Sequence, residues 1–225
     1  MRIRQFEKNL VYSIISFTTL IRVYHHYNWR LWGSDSGEYL YLTRYLLDKG
    51  SMLNENYIGW GRAYPDFQGM QIFAGTISLI TDLEYHIALL WFIPLASALS
   101  IPLLFIIGKR MVGFLPALFG SAFYGVTFGV VYANSHPMPG GLAETLGLVF
   151  LYSWIKCLEN SKFYEIKYPW NGILIISFLG LLITHHFTLL LMCAAIVGII
   201  CIEIAAGNKE KIKQSMIALS VISIV

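Results

Sequence analysis

The stretch WNGILIISFLGLLITHHFTLLLMCAAIVGIICIEIAA, residues 170–206, decides the fold of this chain. A membrane-spanning helix needs about 20 predominantly apolar residues, and this stretch divides into two such segments at Thr184, His185 and His186. The whole sequence has the same character, because 56% of its 225 residues are hydrophobic and 13% are charged. A soluble domain carries roughly 25% charged residues. The sequence therefore predicts an all-α, polytopic membrane helix bundle.

Further apolar segments recur along the chain and predict six to seven membrane spans. The segments are residues 10–27, 85–107, 114–132, 142–155, 170–184, 187–206 and the start of a seventh at 215–225. The last segment has about eleven residues, too few to cross ~30 Å of hydrocarbon at ~1.5 Å per residue. We therefore expect the natural polypeptide to continue beyond it.

A polar segment, residues 34–82, follows the first span and predicts a long outer loop. Within it, Ser36–Lys49 places Tyr39 and Leu42 at helical spacing, which predicts an amphipathic helix on the membrane surface. The apolar run Phe67–Ile80 is short for a span, so we expect a second interfacial or re-entrant helix there.

The basic residues of the short loops predict the orientation in the membrane. With the N-terminus in the cytoplasm, all of their clusters fall on the cytoplasmic face, as the positive-inside rule requires. These residues are Arg2, Arg4, Lys8, Lys109, Arg110, Lys156, Lys162, Lys167, Lys209, Lys211 and Lys213. The outer face then receives residues 34–82, the turn 134–141 and the histidine pair. We expect the plasma membrane of a prokaryote.

The composition argues against three other classes of protein. The net charge of +3, the three cysteines and the 15% aromatic content do not fit a nucleic-acid-binding domain, a disulfide scaffold or a disordered chain. We expect the bilayer as a partner and no nucleic acid.

The predicted outer segments carry carboxylates and imidazoles at the same depth in the membrane. This combination suits a divalent cation or general base catalysis. The candidate residues are Asp35, Glu38, His136, Glu144, His185 and His186.

Each candidate also has a plainer interpretation. Asp35 and Glu38 have the spacing of a capping box at the start of a helix. His136 stands between turn residues, which is typical of an exposed surface turn. Glu144 can lie at the interface without a catalytic role, and the histidine pair can belong to a simple interfacial loop.

A further candidate lies in the outer loop, where Arg62 and Tyr64 stand within Trp60-Gly61-Arg62-Ala63-Tyr64-Pro65. A basic, aromatic edge of this kind can bind a phosphate or a sugar. A structural loop explains the same residues.

In the order of these features, the chain resembles the N-terminal part of the glycosyltransferase C superfamily. These integral-membrane enzymes take a sugar from a polyprenyl-phosphate carrier, and they include protein O-mannosyltransferases, aminoarabinose transferases and oligosaccharyltransferases. The resemblance covers roughly residues 1 to 160. It rests on a basic start, one span, the acidic motif at residues 34–39, the helix end at 46–50, Tyr64-Pro65, and the cytoplasmic turn at 107–113.

The resemblance implies that Asp35 is the first acid of the outer loop, which binds a divalent ion such as Mg or Mn or activates the acceptor. Glu38 is a weaker catalytic candidate. Many members place a second acid between spans three and four, where this chain offers Asn134, His136 and Glu144. His136 is the second candidate metal ligand.

The same resemblance implies a polyprenyl-phosphate sugar as the lipid substrate. His185 and His186 are candidates for contacting its phosphate, and Arg62 or Arg44 can neutralise the phosphate charge.

Two other functions remain open at this stage. The first is a transporter or flippase-like lipid binder, in which Pro94, Pro102 and the histidines act as hinges and gating groups. The second is a truncated relative that binds lipid or a partner without catalysis.

Overall fold

The computed structural model describes residues 2–24, 35–51, 67–159 and 169–223. Helices cover 89% of these residues, and the described ranges contain no strand, which confirms the predicted all-α class. The helices are α1 (Arg2–Tyr24), α2 (Ser36–Lys49), α3 (Gly69–Thr81), α4 (Tyr85–Val112), α5 (Phe114–Val126), α6 (Phe128–Asn134), α7 (Pro139–Leu158), α8 (Pro169–Thr184), α9 (His186–Ala205) and α10 (Lys209–Ser223).

Among the described residues, three helices are long and apolar enough to cross a membrane, namely α4, α7 and α9. A fourth span is formed if α5 and α6 are taken together, although they meet at an angle of 63°. Two more apolar helices, α3 and α8, are shorter, with 13 and 16 residues. The chain is therefore compatible with an integral membrane protein.

Some helix boundaries differ from those predicted. Helix α1 begins at Arg2 rather than near residue 10. Helix α10 begins at Lys209, so the lysines predicted for a short loop lie in its first turns. One of them, Lys211, pairs with Glu203 at the end of α9, 3.0 Å away.

Helix α4 is irregular ahead of its prolines. Residues Ala88–Phe92 form a π-helical turn just before Pro94. Proline has no N–H to donate to the carbonyl four residues earlier, and a π-turn is a common way to accommodate such a break. A second break falls at Leu99, three residues before Pro102.

Large apolar side chains form an exposed stripe along α5. Leu115, Phe119 and Phe123 are four residues apart and are 61%, 70% and 74% exposed. Residues at this spacing share one face of a helix. A contiguous exposed apolar face of this kind fits lipid rather than water.

The outer helices α2 and α3 pack into the bundle. Tyr39 of α2 and Met70 of α3 are buried in one cluster with Leu89 of α4 and Leu142 of α7. The helix predicted over residues 36–49 is present, and its buried face is covered by protein; its position on the membrane surface stays a prediction. It ends at Gly50, whose φ of 69° is the left-handed conformation that favours glycine.

At the far end of the bundle, Glu159 joins α4 to α7. Its carboxylate accepts from Arg110 at 2.6 Å and from Lys156 at 3.2 Å. The hydrogen bond from Arg110 holds the pKa of Glu159 below its usual value, although burial opposes the shift. Two basic clusters predicted for the cytoplasmic face therefore lie at the same end of the molecule.

Candidate functional site

A pocket of about 490 Å³ lies where the three predicted outer segments meet. It contains residues from the start of α2, from the turn between α6 and α7, and from the junction of α8 and α9. The polar lining residues are Asp35, Tyr39, Asn134, Glu144, His185 and Thr188. The segments that sequence reasoning assigned to one membrane face therefore converge in space.

Asp35 stands immediately before α2 but does not cap it with its side chain. Its backbone carbonyl accepts from the N–H of Tyr39 at 3.1 Å. Asp35 therefore occupies the predicted N-cap position, but the side-chain hydrogen bond of a capping box is absent. The Asp35 carboxylate lines the pocket and interacts electrostatically with His136. Glu38 is partly buried in the first turn of α2 and is not a lining residue.

Glu144 is held in place by the amide of Asn134. Asn134 ends α6 and is buried, and its Nδ2 donates to Glu144 Oε2 at 2.8 Å. Gly141 makes this approach possible, because a Cβ there would lie 2.5 Å from Ser97 Oγ and 2.7 Å from Asn134 Oδ1. A hydrogen bond to an ionised carboxylate is stronger than a neutral one, so Glu144 faces the pocket in a defined orientation.

His136 lies in the turn between α6 and α7, yet it is buried, with 5% exposure. The predicted exposed surface turn is therefore wrong. The Tyr132 ring packs edge-on against the imidazole at 5.0 Å between centroids. Burial lowers the pKa of His136, while a hydrogen bond to the Tyr132 backbone and the charge of Asp35 act in the opposite direction.

His185 caps the start of α9. Its Nδ1 accepts from the backbone N–H of Thr188 at 3.3 Å and lies 2.9 Å from Thr188 Oγ1. Because Nδ1 accepts, the proton of the neutral ring is on Nε2, which is then a donor. Burial, followed by the charge of His186, lowers the pKa of His185.

The two adjacent histidines have different surroundings. His186 is exposed and stacks on Phe67, with ring centroids 4.6 Å apart. It is not a lining residue of the pocket, whereas His185 is.

Of the predicted basic contacts, Arg44 is described and is not a lining residue of the pocket. Arg44 lies on an exposed face of α2 and pairs with Asp48 at 3.5 Å. Arg62 and Tyr64 lie outside the described residues.

Comparison with known proteins adds no evidence about the function. The chain matches no protein-family model and no curated protein. The case for a function therefore rests on the pocket and on the sequence features that meet in it.

Sequence reasoning missed Thr188 and Arg22 at or near this site, and it missed the role of Asn134 as the partner of Glu144. Asn134 and Thr188 orient Glu144 and His185, and their small polar side chains carry no signal of their own in an apolar sequence. Arg22 is completely buried in the last turn of α1. A single arginine inside an apolar run was a signal that could have been used.

A divalent metal ion held by Asp35 and His136 stays a prediction. Nowhere in the described ranges do three His, Cys, Asp or Glu side chains lie close enough to hold one ion.

Proposed function

We propose that this chain is an integral-membrane glycosyltransferase, or the N-terminal part of one, that uses a polyprenyl-phosphate sugar. The observation that carries the proposal is the meeting of Asp35, Glu144 and His185 in one pocket. Carboxylates and a neutral imidazole at a bilayer boundary suit proton transfer and the recognition of a polar headgroup.

The proposed topology has six to seven spans, a cytoplasmic N-terminus and an outward-facing pocket. In support, Glu144 and Glu159 lie near opposite ends of α7, about 22 Å apart at ~1.5 Å per residue. The pocket is thus separated from the basic cluster around Arg110 by most of a bilayer. We propose that the membrane is the plasma membrane of a prokaryote.

In the proposed reaction, the lipid tail lies against the exposed apolar helix faces and the headgroup enters the pocket. Asp35 takes a proton from the acceptor hydroxyl or amide. The acceptor atom then forms a bond to the anomeric carbon while the bond from that carbon to the carrier phosphate oxygen breaks. The phosphate leaves with the bonding electron pair, and the sugar carbon is inverted.

Two other pocket residues have supporting roles in this scheme. Glu144, held by Asn134, accepts hydrogen bonds from sugar hydroxyls. The Nε2–H of His185 donates to a sugar or phosphate oxygen.

The proposal is tested by replacing Asp35. Asp35→Asn removes the base and keeps the shape, so transfer of labelled sugar in membranes is expected to fall by about 10² or more. Arg44→Gln is the matched control, because Arg44 is exposed on α2 two turns after Asp35 and does not line the pocket. It is expected to leave transfer unchanged. Full activity of Asp35→Asn, with normal protein levels, would remove the main support for this function.

A second candidate function is a transporter or flippase-like lipid binder. The 63° bend between α5 and α6 favours it, because interrupted helices line substrate sites in many transporters. Movement of a labelled polyprenyl phosphate across proteoliposomes, without sugar transfer, would favour this candidate over the enzyme.

A further inference from the structure

Arg22 is a buried cation in the middle of three packed helices. It lies in the last turn of α1, has no exposed surface, and its guanidinium carbon is 5.9 Å from the centroid of the Tyr124 ring. None of its three side-chain nitrogens has a hydrogen-bond partner among the described residues. The guanidinium interacts electrostatically with Tyr124 and Glu144.

Two further polar groups beside Arg22 are also buried without a hydrogen-bond partner among the described residues. The hydroxyl of Tyr124 on α5 and the hydroxyl of Ser100 on α4 are buried and form no hydrogen bond in the described structure. The Tyr124 hydroxyl lies near the side chains of Ser100 and Glu144, but neither meets the geometry of a hydrogen bond to it. One guanidinium and two hydroxyls, from three different helices, are therefore left unsatisfied near the same place.

Close helix packing explains why Arg22 cannot reach solvent. One turn before it on α1, Thr18 packs against Gly125 of α5, where a Cβ atom would collide with the threonine side chain. The same Cβ would lie 3.4 Å from Ile101 Cδ1 on α4. The three helices are in contact at this level, so the arginine cannot extend its charged end past them.

Burying a guanidinium without hydrogen bonds costs much free energy unless a partner supplies acceptors for its N–H groups. Glu144 contributes an opposite charge, but it does not fill the hydrogen-bonding positions of Arg22. The planar fork of a guanidinium matches two oxygens of a phosphate, and hydroxyls can donate to the others.

We propose that Arg22, Tyr124 and Ser100 form an oxyanion site inside the bundle that binds a phosphate group. Glu144, which lines the outer pocket and interacts with Arg22, marks the side from which the group enters. The phosphate belongs either to a lipid headgroup or to free phosphate. This site does not depend on sugar transfer, although it supplies the phosphate contact that the proposed function requires and that Arg44 does not provide.

The test measures binding to the purified full chain in detergent, using a polyprenyl phosphate, the matching polyprenol and inorganic phosphate as probes. The polyprenyl phosphate is expected to raise the apparent melting temperature, and the polyprenol is not. Arg22→Gln is expected to weaken phosphate binding by about tenfold or more, since it removes charge-assisted hydrogen bonds. Arg44→Gln is the control and is expected to bind like the unchanged protein.

Two further variants keep the test decisive if Arg22→Gln does not fold. Tyr124→Phe removes one hydroxyl donor, so it is expected to bind phosphate more weakly than the unchanged protein. Glu144→Gln removes a negative charge beside the site, so it is expected to bind phosphate more tightly. These opposite effects are not expected from general destabilisation.

The probes also identify the source of the phosphate. Stronger binding of polyprenyl phosphate than of inorganic phosphate indicates a lipid headgroup, and equal binding indicates free phosphate. The proposal is overturned if no probe binds, if the polyprenol binds as well as its phosphate, or if the variants of Arg22, Tyr124 and Glu144 all bind like the unchanged protein. Phosphate binding without sugar transfer would count against the proposed function alone.

Discussion

His185 has two roles: it lines the pocket and it caps the start of α9. Its ring holds the first turn of the helix only while Nδ1 is unprotonated and accepts from Thr188. The same neutral ring presents Nε2–H as a donor. A protonation that weakens the helix start therefore also changes the chemistry of the pocket.

We expect the protein to lose stability in mild acid through His185. Its folded-state pKa lies below the ordinary value of 6.5, so the unfolded state binds the proton more readily. The contribution of His185 is fully present above pH 6.5 and is lost as the pH falls through the lower folded-state pKa. Losing the cap costs about 1 kcal/mol, which thermal unfolding at pH 5 and pH 7.5 can measure.

The control for this effect is His185→Asn, since asparagine caps a helix without titrating in this range. Its stability is expected to change less with pH than that of the unchanged protein. Some pH dependence remains in the variant because the pKa of His136 is also lowered. An identical pH dependence in both proteins would show that the cap at His185 does not sense pH.

At the level of helices, the contact between α1 and α5 holds Arg22 in the interior. The contact depends on Gly125, which has no side chain to separate the helices, and on Thr18. The hydroxyl of Thr18 donates to the carbonyl of Ile14 at 2.7 Å.

Adding one methyl group at this contact is expected to weaken the fold. Gly125→Ala places a Cβ against Thr18, and overpacking of this kind costs about 1–3 kcal/mol. Gly120→Ala is a matched control on the same helix, because nothing lies within 4 Å of a Cβ there. It is expected to be neutral or to stabilise by up to about 1 kcal/mol.

The measurement is the apparent melting temperature of the three purified proteins in the same detergent. If Gly120→Ala and Gly125→Ala unfold at the same temperature, then α1 and α5 are not in close contact at Thr18.

The elements that sequence predicted well are those set by long apolar runs. Residues 36–49 have apolar side chains at helical spacing, and the segments of α7 and α9 are long apolar runs. Both signals predict a helix whichever elements pack against it. The π-helical turn at Ala88–Phe92 was not predicted, because prolines indicate a break but not how the backbone absorbs it.

The candidate site was predicted less completely than the fold. The predicted membrane topology was enough to place Asp35, Glu144 and His185 on the same membrane face. The burial of Arg22 and His136 and the missing cap at Asp35 depend on which helices touch. That information is tertiary, and spacing along the chain does not contain it.

For the molecule as a whole, the separation of charge between its two ends is the basis of the proposed orientation. The acidic and imidazole groups of the pocket lie at one end of α7, and Arg110 with Lys156 lies at the other. Basic residues are retained on the cytoplasmic side during insertion. The pocket is therefore expected to open on the outer face.

Cysteine labelling from each side of the membrane tests this orientation. The starting protein lacks the native thiols at Cys157, Cys193 and Cys201, and single cysteines are then introduced as Ser51→Cys or Lys209→Cys. Both positions are exposed, so a membrane-impermeant maleimide can reach each of them from its own side. We expect Ser51→Cys to react in intact cells and Lys209→Cys to react only after permeabilisation. The reverse pattern would place the pocket in the cytoplasm, where an outward-facing transfer of sugar could not occur.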